Sequence, residues 1–180
     1  MKYWRLIIFV LLAFAQLAVP GSLIWKREHT LRQGSVWKFR TAPVDPVDVF
    51  RGRYVALQFE VETQQISPPA NASSGDTVFI TLKANAEGFA EIDQVLTTKP
   101  AGDDFMAAEL SGKTISLPFD KYWVTERDAP AAESAYRNLS RRDNPNAFAT
   151  VRVFRGDAAL DQLYLDNQRL GDYLRAHAAK

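Results

Sequence analysis

Few side chains in this sequence have the types and spacing that chemistry requires. Asp45 and Asp48 sit three apart in Thr41-Ala-Pro-Val-Asp-Pro-Val-Asp-Val-Phe-Arg-Gly-Arg-Tyr54, ahead of Gly52, Arg53 and Tyr54. Tyr122 and Glu126 recur in Lys121-Tyr-Trp-Val-Thr-Glu126. An exposed carboxylate pair could hold a cation or accept a partner's arginine. Two carboxylates about 5–10 Å apart across a cleft could serve as acid and base on a glycoside. The same residues also have a structural reading. Asp45 can N-cap one helical turn, Pro46 suits its first position, and Asp48 can approach the free amides. Gly52 can take the left-handed conformation that ends the turn and launches a strand. Tyr122 and Glu126 could form a hydrogen-bonded pair or simply finish a strand.

Other catalytic sets are missing. The 180 residues contain no cysteine, which excludes disulfides, thiolate nucleophiles and Cys-ligated metals. The two histidines, His29 and His177, are far apart and share no ligand-like spacing, so neither a zinc site nor a His-based triad is expected. No cofactor is expected, and enzymatic function is disfavoured. Lys2, Arg5, Lys26, Arg27 and Glu28 fall in the first 29 residues, leaving 18 basic and 20 acidic side chains in the remainder. A near-neutral domain of that kind lacks the positive footprint that nucleic acid demands.

The elements that must position these residues begin with an apolar segment. From Leu6 to Val19 only Gln16 is polar, Pro20-Gly21-Ser22 intervene, and Leu23-Ile24-Trp25 lead to Lys26-Arg27. As helix, Leu6–Trp25 would be about 30 Å long, the thickness of a bilayer core. Trp4 and Trp25 stand where interfacial aromatics belong. Ala13-Phe14-Ala15 offers the competing reading of a signal-peptide cleavage site, although it leaves a short apolar region before it and apolar residues after it. Glu28–Ser35 reads as a polar connector between an anchor at 1–27 and a domain at 36–180.

Downstream, alternation predicts strands. Val36–Arg40 comes first. Tyr54–Glu62 follows, with Val55, Leu57, Phe59 and Val61 on one face and Tyr54 on the other, as in a strand covered on both sides. Pro68-Pro69 and Asn71–Gly75 mark a loop. Thr77–Ala84 pairs with Phe89–Thr97, Phe105–Leu110 with Thr114–Leu117, and Phe148–Phe154 with Ala159–Leu165. The last pair turns at Arg155-Gly156-Asp157, an adhesion-like tripeptide that a hairpin turn explains. A helix is expected over Ala129–Arg141, N-capped by Asp128, with Ala132, Tyr136 and Leu139 inward. Leu170, Tyr173, Leu174 and His177 have helical spacing. The fold class is therefore mainly β with one or two short helices: an N-terminal transmembrane helix followed by an antiparallel-sheet domain of seven or eight strands.

Gly-Arg-Tyr-Val-Ala-Leu-Gln-Phe59 resembles the signature of the GDYXXLXY family, with Gly52, Tyr54 and Leu57 matching and Phe59 standing for the last tyrosine. Ala-Pro-Val-Asp-Pro46 is similar to that family's lead-in, and Lys121–Glu126, with Glu133 beyond, to its second motif. Arg53 replaces the signature aspartate. The resemblance implies a bacterial, N-terminally anchored envelope protein that accompanies multipass membrane proteins, with its domain outside the cytoplasm, and brings no activity with it. A fainter likeness to the nucleophile segment of signal-peptidase-like serine proteases fails, because Pro43 occupies the serine position. Two functions remain open beside a purely structural envelope role. One is an interaction module docking on a multipass membrane protein; the other is a small-ligand or glycan-acting enzyme using Asp45, Asp48 and Glu126.

Overall fold

The computed structural model describes residues 3–42, 54–140 and 146–177. A single helix, α1 (Tyr3–Gln33), contains the whole apolar segment and continues through the polar residues after it. Its 31 residues give about 46 Å of length. No residue in the stretch apolar enough to cross a membrane is buried, so among the described residues nothing encloses its side chains. The segment expected as a polar connector is thus helical as far as Gln33. Gly34 alone separates α1 from the first strand.

That strand, β1 (Ser35–Ala42), lies inside a five-stranded antiparallel sheet. The other members are β3 (Gln58–Phe59), β9 (Ala147–Phe154), β10 (Asp157–Leu165) and β11 (Gln168–Arg169), in the order β11-β10-β9-β1-β3. A second sheet has the order β5-β4-β6-β7, built from β4 (Thr77–Ala84), β5 (Ala90–Leu96), β6 (Phe105–Ser111) and β7 (Thr114–Ser116). Each hairpin expected from the alternation forms. Arg155 and Gly156 take positive φ at the turn between β9 and β10. That turn ties the two sheets together: Gly156 donates to the Phe105 carbonyl and accepts from the Ala107 amide. In β10 the register shifts between Leu160 and Gln162, which lets Leu160, Leu163 and Leu165 all reach the core despite their uneven spacing.

Inward residues of both sheets fill one core. Phe39, Phe59 and Phe119 meet edge to face with centroids 5.4–5.9 Å apart, and Val78, Ile80, Met106, Val151 and Leu163 are fully enclosed. The helix α3 (Ala129–Leu139) buries Ala132 and Tyr136, as its stripe predicts, and α4 (Leu170–His177) closes the chain. Asp128 occupies the N-cap position of α3 without capping it; its carboxylate instead accepts the Thr125 hydroxyl at 2.7 Å.

The expected strand Tyr54–Glu62 is the main departure. Val55, Leu57, Phe59 and Val61 are indeed buried, but the chain divides into β2 (Tyr54–Ala56), β3 and a helical turn, α2 (Glu60–Thr63). The amide of Leu57 donates to the Asp120 carbonyl at 2.7 Å, where the segment passes from one pairing to the next. Burial keeps a period of two across the break while the pairing partner changes.

Candidate functional site

The two motif segments meet. β2 pairs only with β8 (Lys121–Trp123) among the described strands, placing Tyr54 opposite Trp123, Val55 opposite Tyr122 and Ala56 opposite Lys121. Alternation along this antiparallel ribbon sends Val55 and Tyr122 inward and Tyr54, Lys121 and Trp123 outward. On the outer face the Tyr54 and Trp123 rings stand edge to face at 5.3 Å, and the Lys121 ammonium lies 5.5 Å from the Tyr54 ring centre. Tyr54 is therefore half-buried on a two-stranded ribbon instead of lying inside a covered sheet. On the inner face the Tyr122 hydroxyl donates to Gln162 Oε1 on β10 at 3.4 Å, and burial raises its pKa. The ribbon thus holds Tyr54 and Tyr122 on opposite faces. Glu126 follows in an exposed turn leading to α3. Asp45, Asp48, Gly52 and Arg53 lie outside the described residues, as does the capped turn expected around them.

Two buried polar contacts brace this region, and sequence reasoning missed both. Glu62 faces inward from α2, where its carboxylate accepts the Phe59 amide at 3.1 Å and the Leu117 amide at 2.9 Å. Its pKa is raised, chiefly because burial penalises the charge, although the two amides oppose the shift. Tyr136 reaches the Ala42 carbonyl from α3 at 3.4 Å, and burial pushes its phenol up to about 12. Glu62 ends an alternating run, on the face opposite Val55, Leu57, Phe59 and Val61, where period two alone predicts a solvent-facing strand residue. No signal of period or composition marked it as a clamp.

Beside the ribbon, a cleft of about 410 Å³ opens between α1 and the domain. Lys121 and Trp123 line one wall and Leu23, Lys26 and Arg27 the other. The helix is fastened here by the Lys26–Asp157 ion pair at 2.7 Å and by His29, which stacks on Trp25 and meets the edge of Phe154, both at 5.2 Å. His29 is thereby engaged in packing. The adhesion-like tripeptide is also absorbed: Asp157 holds Lys26, and Arg155 pairs with Asp103 at 2.5 Å. Among the described residues no group of three or more His, Asp or Glu side chains could hold a metal.

The model of the GDYXXLXY protein family matches residues 16–163. The chain belongs to the GDYXXLXY family. No curated protein and no solved structure matches it. Within the GDYXXLXY domain, the signature tyrosine and leucine have distinct physical roles. Tyr54 anchors the outer aromatic pair of the ribbon, and Leu57 is the buried residue at which the chain changes sheets. Phe59, at the final signature position, is completely enclosed between Phe39 and Phe119. There a hydroxyl would need its own partner, and phenylalanine avoids that requirement.

Proposed function

We propose that this GDYXXLXY protein is a single-pass accessory protein of the bacterial inner membrane. In this reading residues 1–27 are an uncleaved anchor, 28–35 a connector that is helical as far as Gln33, and 36–180 an extracytoplasmic domain, docked on a multipass membrane protein. The observation that carries the reading is Gln16. The midpoint of Leu6–Trp25 falls between Ala15 and Gln16, so the one polar side chain between Leu6 and Val19 sits at the centre of the bilayer. Pro20, inside the helix, has no amide to offer the Gln16 carbonyl four residues earlier. Two strong polar groups therefore face hydrocarbon on a helix that is exposed throughout its span. Neighbouring transmembrane helices are what satisfy such groups.

Outside the membrane, Asp45, Asp48, Gly52, Arg53, Tyr54 and Glu126 are assigned to the docking edge, with Tyr122 bracing it from the inner face, because the described members of both motifs converge on one ribbon and the turn after it. Affinity purification of the full chain from native membranes tests the proposal. A multipass protein should co-purify reproducibly, and Gln16→Leu should release it while the variant stays in the membrane. Absence of any reproducible multipass partner would count against docking. A mature N-terminus beginning after Ala15 would count against the anchor.

A further inference from the structure

The cleft between α1 and the ribbon has no role in holding a partner at Gln16. Its level relative to a bilayer follows from the helix. Leu23 belongs to the last apolar turn, and Lys26 and Arg27 are the first charges after it. At 1.5 Å per residue these side chains span about 6 Å at the end of an apolar stretch about 30 Å long. The cleft mouth is thus level with lipid headgroups. Trp123, across the cleft, is 64% exposed. Among the described residues it and Val36 are the only large hydrophobic side chains exposed outside α1. A bare tryptophan at that height is where an interfacial aromatic belongs.

The charges select the ligand. Lys26 is matched by Asp157 at 2.7 Å and Lys121 by Asp120 at 3.5 Å. Arg27 has no ion pair or hydrogen bond among the described residues. The cleft is left with one uncompensated positive charge, carried by the side chain whose planar fork suits phosphate oxygens. We propose that this cleft binds the headgroup of a phospholipid carrying a single net negative charge. Arg27 grips the phosphodiester, Lys121 assists, and Trp123 packs on the glycerol and upper acyl chain. This inference rests on α1 being a membrane anchor, and it requires no protein partner.

The test is native mass spectrometry of the full chain in detergent, titrated with phosphatidylglycerol or phosphatidylcholine, with glycerol 3-phosphate as a soluble competitor. One phosphatidylglycerol should be retained at least about fivefold more tightly than phosphatidylcholine, the effect of one basic side chain on an anionic lipid. Arg27→Gln and Lys121→Gln should each weaken phosphatidylglycerol about fivefold, and the remote Lys83→Gln should not. Trp123→Ala should weaken both lipids. Equal affinity for the two lipids, an unchanged Arg27→Gln, or displacement by glycerol 3-phosphate at equal concentration would overturn the proposal. Alkaline carbonate extraction separates the two failures. A chain released by carbonate sinks the anchor and the lipid site together, whereas a retained chain with an indifferent Arg27→Gln sinks the lipid site alone.

Discussion

Among the described glycines with an ordinary backbone conformation, Gly34→Ala should loosen the joint between helix and domain the most. A methyl group at Gly34 would stand 2.6 Å from the Thr30 carbonyl oxygen and 3.0 Å from both the amide nitrogen and carbonyl oxygen of Val153. All three atoms are backbone, held in the last turn of α1 and in β9, so no side chain can swing aside. The same glycine donates its amide to Thr30 at 2.9 Å and accepts Arg152 at 3.3 Å, and shifting it degrades both bonds. Overpacking of this kind costs about 1–3 kcal/mol, equivalent to a fall of about 2–12 °C in Tm for a chain of this size. Gly171 supplies the control. It lies in α4, no atom stands within 4 Å of its would-be methyl group, and alanine there should be neutral or stabilising by about 0.5 kcal/mol. Thermal unfolding of the full chain in detergent, followed by near-ultraviolet circular dichroism, compares the two. Hydrogen exchange should also accelerate at residues 26–34 in Gly34→Ala. A Gly34→Ala protein melting within 1 °C of wild type would refute the close-approach argument.

Four further outcomes are expected. Glu62→Ala strands the Phe59 and Leu117 amides and should cost about 1–3 kcal/mol for each in urea denaturation; each amide uses a different carboxylate oxygen, so Glu62→Gln keeps an acceptor for one of them and should cost about half as much. Because the folded-state pKa of Glu62 is raised, its contribution is fully present at acid pH. It is lost as pH climbs from the ordinary glutamate pKa through the raised one, and Glu62→Gln should flatten that slope. Tyr136 should make the domain alkali-sensitive: the unfolded phenol ionises near 10 and the buried one near 12. About 2–3 kcal/mol should therefore vanish across that interval, and Tyr136→Phe should remove the loss when stability is measured against pH. Phe59→Ala empties the centre of the aromatic triad and should cost about 3–5 kcal/mol by denaturant titration.

Much of the architecture could be read from alternation. The hairpins around Gly156 and between β6 and β7 could be placed because turn residues interrupt clean period-two runs. The stripe of α3 predicted Ala132 and Tyr136 correctly. Val55, Leu57, Phe59 and Val61 were recognisable as core, yet their division among β2, β3 and α2 was not. Period reports which side faces inward and is silent on which strand lies alongside. The continuation of α1 past Lys26 was hidden for a related reason: Glu28–Gln33 is polar, and its helicity comes from the turns before it and from contacts made by His29, Thr30 and Lys26. Of the candidate site, the pairing of the two motifs had no local signal, since Tyr54 and Trp123 lie 69 positions apart in the chain. The cleft likewise depends on residues drawn from opposite ends of the sequence.

The single residue between α1 and β1 has a mechanical consequence. With Gly34 as the only link, with Lys26 and His29 fastened to the domain and Thr30 buried at the joint, no swivel separates the direction of α1 from that of the domain. Transmembrane helices tilt by about 20° on average, and such a tilt carries a point about 30 Å above the pivot sideways by about 10 Å. Rotation of the helix about its own axis would turn the ribbon face through the same angle. The arrangement works as a crank: if α1 is the proposed anchor, a membrane neighbour altering its heading would re-aim the whole domain without touching it.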